Sequence, residues 1–337
     1  MSDTGIIAEP YAFARAADQA QQLRDLVKNA RPAPRSTEAR PPRQPRETPP
    51  PPLLSPTVTR TGRARTIAIT SGKGGVGKTN LAVNLAARFA QAGKKTVLLD
   101  ADMGLANADV LCGIESPLNL AHVVARQRSI DEVLSAAPGG FKLAAGASGL
   151  ARMADLPADE HARLIGSLSS LERMNDVILI DTGAGISQNV LSFTAAADHV
   201  LVVTTPEPTS VTDAYATIKV ILRERGGNST RPISLLVNQA KDEAEARRIF
   251  ERVSRVTRQF LGAGLENAGH IPLDPAVSKA VRQRTPFVVG QPASAAARAV
   301  TKLAIRLEAG VGAGLPAHIP GGPRASGGFF GRMMSRA

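Results

Sequence analysis

Two patterns of apolar and polar positions alternate along the middle of the chain. Short, nearly continuous apolar runs predict buried β-strands, and they occur at 66–70, 96–100, 141–144, 177–181, 200–204, 234–238 and 270–272. Longer stretches with apolar residues every three or four positions predict helices, most clearly at 80–91, 158–174, 210–225, 242–260 and 293–308. Apolar strands separated by helices are typical of a parallel sheet covered on both faces. We therefore predict an α/β fold, a three-layer α/β/α domain with a mostly parallel central sheet, over residues 64–308.

Both ends of the chain lack this alternation. Residues 31–63 are proline-rich, and ten of the 24 prolines lie between 31 and 56. That composition favours extended backbone and cannot close a core, so this segment is predicted to be a disordered linker. Residues 1–30 contain apolar side chains at helical spacing and predict a short helix before the linker. Residues 309–337 become Gly-, Ala- and Pro-rich and predict a flexible linker that ends in a short amphipathic segment.

Composition excludes several classes of function. Cys112 is the only cysteine, so no internal disulfide forms and a reducing, cytosolic setting is expected. Two copies of the chain would supply fewer than the roughly four thiolates that a shared iron–sulfur cluster needs. The chain has no Trp and only two Tyr, and this disfavours nucleic-acid binding by base stacking. No apolar run approaches the ~18 residues of a transmembrane helix, and no secretion signal is recognised.

The net charge of +12 is concentrated at the ends. Residues 1–65 carry 11 basic and six acidic side chains, and residues 310–337 carry three basic and no acidic ones. Basic ends suit an anionic partner such as phospholipid or nucleic acid, and a merely solvated tail explains them equally well.

A phosphate-binding motif follows the first predicted strand. Residues 72–79 read GKGGVGKT and match the pattern G-x-x-x-x-G-K-[ST]. In this pattern the glycines let backbone N–H groups surround phosphate oxygens, while the lysine and the hydroxyl, here Lys78 and Thr79, serve phosphate and Mg²⁺. The helix that follows points the positive end of its dipole at the phosphates. The nucleotide-binding residues predicted here are Gly72, Lys73, Gly74, Gly75, Val76, Gly77, Lys78, Thr79 and Asn80.

Carboxylates follow two other predicted strands. Asp181 ends the run 177–181, a position typical of the aspartate that serves nucleotide-bound Mg²⁺, and Gly183 lets the backbone approach a γ-phosphate. Asp100 and Asp102 lie two residues apart in an extended segment and point the same way. We assign Asp102 to the attacking water. We assign Asp100, Asp181 and Thr79 to Mg²⁺, partly through water.

Each of these residues also has a plainer interpretation. Asp100 could be a helix cap or turn residue, and the glycines after Asp181 could form an ordinary tight turn. Asn238, at the end of the sixth predicted strand, could bind the edge of a purine base or be a turn residue.

Three segments together resemble the MinD/ParA family of deviant P-loop ATPases. They are residues 72–79, 99–107 (LDADMGLAN) and 180–186 (IDTGAGI), and the resemblance covers roughly residues 64–308. It implies ATP as the nucleotide, Mg²⁺ as its cation and weak ATPase activity, with Lys73, Lys78 and Asp102 as catalytic residues. It also implies a homodimer in the ATP-bound state, because in this family the extra lysine, here Lys73, reaches the phosphates of the partner subunit.

One branch of the family resembles the chain further. Residues 18–24 (DQAQQLR) are similar to the D-Q-A-x-x-L-R element of the FlhG branch, also called FleN or YlxH, which regulates flagellar number and placement. The resemblance implies that residues 1–30 stimulate the GTPase of an FlhF-type, signal-recognition-particle-like partner, with Gln19 orienting water at the partner's GTP. The residues involved would be Asp18, Gln19, Leu23 and Arg24. A flagellar basal-body or transcription-factor partner is also implied. The alternative is a helix that docks on its own domain.

The C-terminal end carries an apolar group at helical spacing: Phe329, Phe330, Met333 and Met334. Arg332 and Arg336 would lie on another side of that helix, so the segment is amphipathic. Members of the family often end in a membrane-targeting helix, which implies a cytoplasmic protein that associates reversibly with the inner face of the cytoplasmic membrane. Gly331 disfavours a helix, and a disordered tail is the alternative.

The leading interpretation is an ATP-dependent dimerisation switch that regulates flagella. A second is a positioning or partition ATPase that acts on DNA or another cargo, for which the stretch 242–260 offers basic side chains that could equally be a solvated face. They are Arg247, Arg248, Arg252 and Arg255. We do not expect DNA as a partner. Small-molecule kinase or amidoligase activity stays open, although no separate substrate pocket can be read from the sequence.

Overall fold

The structure is a computed structural model that describes residues 63–102, 107–146, 169–226, 231–309 and 328–334. One eight-stranded sheet lies at the centre of these residues. The strand order is β3-β4-β2-β5-β1-β6-β7-β8, and all neighbours are parallel except β3 and β4. The strands are β1 (Arg65–Ser71), β2 (Thr96–Ala101), β3 (Leu134–Ala136), β4 (Lys142–Ala144), β5 (Val177–Ala184), β6 (His199–Thr204), β7 (Ile233–Ala240) and β8 (Glu266–Pro272).

Helices cover both faces of the sheet. In the described ranges they are α1 (Lys78–Gln91), α2 (Ala108–Cys112), α3 (Leu120–Val124), α4 (Gln188–Ala196), α5 (Pro208–Glu224), α6 (Glu243–Leu261), α7 (Pro275–Arg282), α8 (Phe287–Gly290), α9 (Ala295–Ala309) and α10 (Phe329–Met334), together with helical residues 169–174. A search of these residues finds no helix with the length and apolar character needed to cross a bilayer.

Alternation along the strands divides the core into two layers. In β5, Ile178 and Ile180 face the layer under α4, α5, α6 and α10, whereas Val177 and Leu179 face the layer under α1 and α9. Successive side chains of a strand point to opposite faces, so strands that are apolar at every position serve both layers. This confirms the predicted α/β/α fold.

The observed strands differ most from the predicted ones at β3 and β8, and the helices α2, α3, α4, α7 and α8 were not predicted. All seven predicted strands are present, but β3 was not predicted because it has only three residues, at most half-buried, with Ser135 at its centre. β8 begins at Glu266, four residues before the predicted start, because Asn267 and Gly269 interrupt its apolar pattern.

Several predictions fall outside the described residues. These are the N-terminal element 1–30 with Asp18, Gln19, Leu23 and Arg24, nearly all of the linker 31–63, most of the predicted helix 158–174, and residues 310–327 of the C-terminal linker. They stay predictions from sequence.

Candidate functional site

The phosphate-binding loop lies at the carboxyl end of β1, between β1 and α1. Gly75 and Gly77 have φ values of 80° and 84°, in the left-handed region that glycine adopts without steric cost. Gly77 is the N-cap of α1 and uses no capping side chain, so the first N–H groups of the helix remain available to a ligand.

Close approach explains two glycines of the loop. A Cβ on Gly72 would overlap the backbone of Asp213 in α5, so the loop packs directly on that helix. A Cβ on Gly77 would collide with Nδ2 of Asn238, which donates a 2.7 Å hydrogen bond to the carbonyl of Val76. The P-loop is therefore held from both sides by elements far away in sequence.

Lys78 joins the loop to the two predicted carboxylates. Its Nζ donates to Oδ1 of Asp181 at 2.7 Å and lies 3.9 Å from Oδ2 of Asp102. Lys78 and Asp181 are both buried, whereas Asp102 keeps about a quarter of its side chain exposed (26%). The structure thus brings together the lysine, the inner aspartate and a water-accessible aspartate.

Asp181 is placed to serve a cation. Burial raises the pKa of its carboxyl, and the charge of Lys78 opposes that shift. The Thr79 hydroxyl is close enough to lower the same pKa, although no hydrogen bond of normal geometry reaches the buried Oδ2. A buried carboxylate oxygen without a hydrogen bond, beside a hydroxyl, fits a site that binds Mg²⁺ directly or through water.

No three metal-binding side chains of His, Cys, Asp or Glu converge among the described residues. Mg²⁺ usually keeps several waters and takes one or two carboxylates together with substrate phosphates. When bound, Mg²⁺ would neutralise charge on those phosphates.

Asp100 accepts hydrogen bonds from the backbone and also lies next to Asp181 in the candidate site. Its Oδ1 accepts the N–H of Asp102 and its Oδ2 accepts the N–H of Ala108, both at 3.2 Å, which is the turn and cap role considered above. It lies opposite Asp181 in the register of β2 and β5. Burial and the charge of Asp181 together raise the pKa of Asp100 to about 7. Asp100 therefore fixes the chain that carries Asp102 and adjoins the predicted cation site.

Lys73 points away from its own phosphate loop. It forms an ion pair with Glu207, the N-cap of α5, and its Nζ lies 3.3 Å from the hydroxyl of Thr209 in the first turn of that helix. Glu207 was not predicted as a site residue. A signal was present, because it is the only acidic residue directly after the strand at 200–204, at the same sheet end as the P-loop.

The two predicted asparagines have structural partners. Asn80 accepts a hydrogen bond from Asn84 Nδ2 through its own Oδ1, at 2.8 Å, within the first turns of α1. Asn238 supports the P-loop through Val76, and its contact with a base stays a prediction. Nearby, the N–H of Leu273 bonds to the carbonyl of Ala240 at the end of β7. Leu273 is 72% exposed, an apolar surface at this sheet end that the sequence did not single out.

Three of the four predicted membrane residues are buried in this structure. Phe329 and Phe330 have no exposed surface, and Met333 is buried. Phe329 stacks on Phe193 of α4, with ring centroids 6.5 Å apart, so α10 packs against its own domain.

Polar contacts fix the same helix. The N–H of Phe330 donates to Oε1 of Glu172 at 3.0 Å. Arg332 donates to the carbonyl of Ala196, at the end of α4, and to Oδ1 of Asp198 at 2.6 Å. α10 is helical despite Gly331, because burial and these hydrogen bonds offset its poor helix propensity.

Comparison with known proteins gives consistent matches. The profile of the CobQ/CobB/MinD/ParA nucleotide binding domain matches residues 67–287. The antiactivator FleN of Pseudomonas aeruginosa is 42% identical over 242 residues, which cover 72% of this chain and 85% of FleN. The flagellum site-determining protein YlxH of Helicobacter pylori is 36% identical over 228 residues, covering 66% and 74% of the two chains.

Solved structures share the fold. The cell division protein MinD of Aquifex aeolicus superposes with a TM-score of 0.57 at 27% identity, over 72% of this chain and 96% of MinD. The septum site-determining protein MinD of Pyrococcus horikoshii, solved with Mg-ADP, gives a TM-score of 0.58 at 24% identity, over 73% and 96%.

Proposed function

The chain belongs to the CobQ/CobB/MinD/ParA nucleotide-binding family and is a MinD/ParA-type ATPase, and from this premise we propose that it is an ATP-controlled dimerisation switch that regulates flagellar number and placement. The similarity to proteins named antiactivator FleN and flagellum site-determining protein YlxH supports the flagellar role. Its reaction converts ATP and water to ADP and phosphate.

The position of Lys73 is the observation that supports ATP-dependent dimerisation. Its ammonium group pairs with Glu207 and so lies outside the phosphate loop that Lys78 serves. The Lys73 side chain is about one-third exposed (32%), so a second subunit can reach it without unfolding the loop. Lys73 supplies a positive charge to the phosphates of a facing subunit, and ATP thereby stabilises the dimer.

Hydrolysis resets the switch. Asp102 is the partly exposed carboxylate beside Lys78, and it positions the attacking water. When Mg²⁺ is bound, Asp181 and Thr79 would hold it with the phosphates, while the loop N–H groups and Lys78 would bind the phosphate oxygens. Weak activity suits a protein whose output is the lifetime of the dimer.

The two ends of the chain connect dimerisation to its effects: the N-terminal segment acts on a partner GTPase, and the C-terminal segment acts at the membrane. Residues 1–30 stimulate an FlhF-type GTPase, with Gln19 orienting the partner's attacking water. Phe329, Phe330, Met333 and Met334 anchor the protein reversibly at the cytoplasmic membrane. Because three of these four side chains are buried against the domain, α10 must leave α4 before they can enter a bilayer.

GTPase stimulation tests the flagellar assignment. A peptide of residues 1–30 is added to an FlhF-type GTPase, and phosphate release is measured with the wild-type peptide and with Gln19→Ala. We expect acceleration that depends on Gln19. Equal rates with the two peptides, or no acceleration by either, would contradict this role.

Sedimentation velocity with ATP, ADP and no nucleotide tests the switch separately. We expect a dimer only with ATP, and its absence would reject the switch whatever the GTPase result.

A further inference from the structure

A cationic groove runs along the edge of the sheet, away from the P-loop residues. Its volume is about 390 Å³, and it is lined by β8, by the first turns of α6 and by α9. The two helices pack on opposite faces of the sheet, α6 with one core layer and α9 with the other. The edge of β8 therefore lies between two helical walls.

The outer edge of β8 has no partner strand among the described residues. β8 is the last strand of the sheet, and within those ranges it pairs with β7 alone. The N–H of Gly269 donates to Oδ1 of Asn267, two residues earlier, at 2.8 Å, so this group is not used in the pairing with β7. An incoming strand can replace that local contact. A parallel sheet with an unpaired edge is a template for a further strand.

The α9 wall carries three cations in one line: Arg298, Lys302 and Arg306, all exposed. Their spacing of four residues places them roughly 6 Å apart along the helix axis. In an extended strand, side chains on the same face repeat about every 6.6 Å. Carboxylates at alternate positions of a strand beside β8 would therefore match the row of cations on α9.

Two of the three cations have no acidic partner in the ranges that the structure describes. Lys302 and Arg306 form no ion pair there. By contrast, backbone hydrogen bonds and the charge of Arg298 together lower the pKa of Asp274, and the Arg298 side chain donates to the carbonyl of Ala293. Arg306 lies across the edge strand, since a Cβ built on Gly269 would be 2.5 Å from its Nη1. Arg306 must swing aside for a strand to enter, and a carboxylate on that strand would give it a partner.

We propose that this groove binds an extended acidic segment of a protein partner, which adds as a strand to β8 with carboxylates at alternate positions facing α9. The partner is another protein because neither end of this chain offers carboxylates at alternate positions: the six acidic side chains of residues 1–65 lie at least six residues apart, and residues 310–337 have none. A nucleic acid is disfavoured because Glu243 lines the α6 wall and the groove is lined by no Phe, Tyr or Trp for base stacking. The inference is independent of the ATP switch.

Fluorescence anisotropy with a labelled heptapeptide, Thr-Glu-Thr-Glu-Thr-Glu-Thr with blocked ends, tests the groove on the full chain. We expect saturable binding that weakens at high salt. The variant K302E/R306E should lose at least about tenfold in affinity, because two attractive contacts become repulsive. The matched variant R248E/R252E makes the same change of charge on exposed positions of α6 that do not line the groove, and it should bind like the wild type.

A second peptide separates strand addition from simple charge attraction. N-methylation of alternate amides removes backbone donors but keeps the three glutamates, and it should abolish binding. Equal binding of the methylated peptide would overturn strand addition. Equal losses of peptide affinity in K302E/R306E and R248E/R252E would show that general surface charge, and not the groove, binds the peptide. A 16-mer of oligothymidylate that binds the groove and competes with the heptapeptide would replace the proposal with a nucleic-acid site.

Discussion

Lys78 and Asp181 form a buried ion pair at the centre of the site, with Nζ of the lysine 2.7 Å from Oδ1 of the aspartate. The pair joins the first turn of α1 to the end of β5, 103 residues apart in sequence. Each charge depends on the other for compensation when no nucleotide is bound. The lysine that binds phosphate therefore also stabilises the fold, and the two contributions can be separated by mutation.

The first prediction concerns this pair. Lys78→Met should lower the free energy of unfolding by about 3 kcal/mol, because it leaves the Asp181 charge buried without its partner. The double variant K78M/D181N should recover most of that stability but bind no ATP. Urea unfolding and calorimetric ATP titration measure the two effects. Wild-type ATP affinity in K78M/D181N would show that Lys78 has no role at the phosphates.

The second prediction concerns Lys73. Its ion pair with Glu207 is partly exposed, so Lys73→Ala should change the free energy of unfolding by less than about 1 kcal/mol. The same substitution should abolish the ATP-dependent dimer. Lys94→Ala is a matched control, because Lys94 forms a comparable surface ion pair with Glu308.

Sedimentation velocity with ATP distinguishes the two lysine variants. Dimerisation should be retained in Lys94→Ala and lost in Lys73→Ala. A Lys73→Ala protein that dimerises like the wild type would refute the proposed contact between subunits.

The third prediction concerns the docked C-terminal helix. Phe193→Ala removes the ring on which Phe329 stacks and leaves the sequence of α10 unchanged. Loss of this contact should favour undocking, so the variant should bind anionic liposomes without ATP while the wild type requires ATP. Ser192→Ala on the same helix is the control. Liposome co-sedimentation measures the binding. Equal binding of Phe193→Ala and the wild type without ATP would contradict the prediction. Truncation before residue 328 should abolish binding in both proteins.

The fourth prediction concerns pH. His199 is buried between Nη2 of Arg65, 3.4 Å from its Nδ1, and the hydroxyl of Ser234, 2.9 Å from its Nε2. Burial, aided by the charges of Arg65 and Arg225 and opposed by Asp198, lowers the pKa of His199 to about 3. The unfolded chain, with a histidine pKa near 6.5, binds more protons below that pH.

His199 should therefore cost no stability above about pH 6.5 and destabilise the fold as the pH falls toward 3. At pH 5 the cost should be about 2 kcal/mol relative to pH 7.5. Urea unfolding measures this effect. Between pH 7.5 and pH 5 the free energy of unfolding should fall by about 2 kcal/mol less in His199→Gln than in the wild type. A C–H resonance assigned to the His199 imidazole by comparison with His199→Gln, and titrating near pH 6.5 in the folded wild type, would contradict the prediction.

The predicted fold follows from patterns that are local in sequence. Apolar runs of β-type residues predicted seven of the eight strands, because strands buried on both faces must be apolar throughout. The short strand β3 was not predicted, since three residues, two of them half-buried and one exposed, do not make a periodic signal. The phosphate loop was also readable from sequence, because its chemistry depends on consecutive residues.

Contacts between distant segments were decided only by the tertiary structure. The sequence determined the nucleotide loop, the aspartates at strand ends and the apolar C-terminal segment. It did not determine that Lys73 pairs with Glu207, that Phe329 stacks on Phe193, or that three cations of α9 lie along the edge of β8. The physical reason is that each of these contacts joins residues whose distance is set by the packing of whole helices on the sheet, while the sequence pattern specifies only which face of each element is buried.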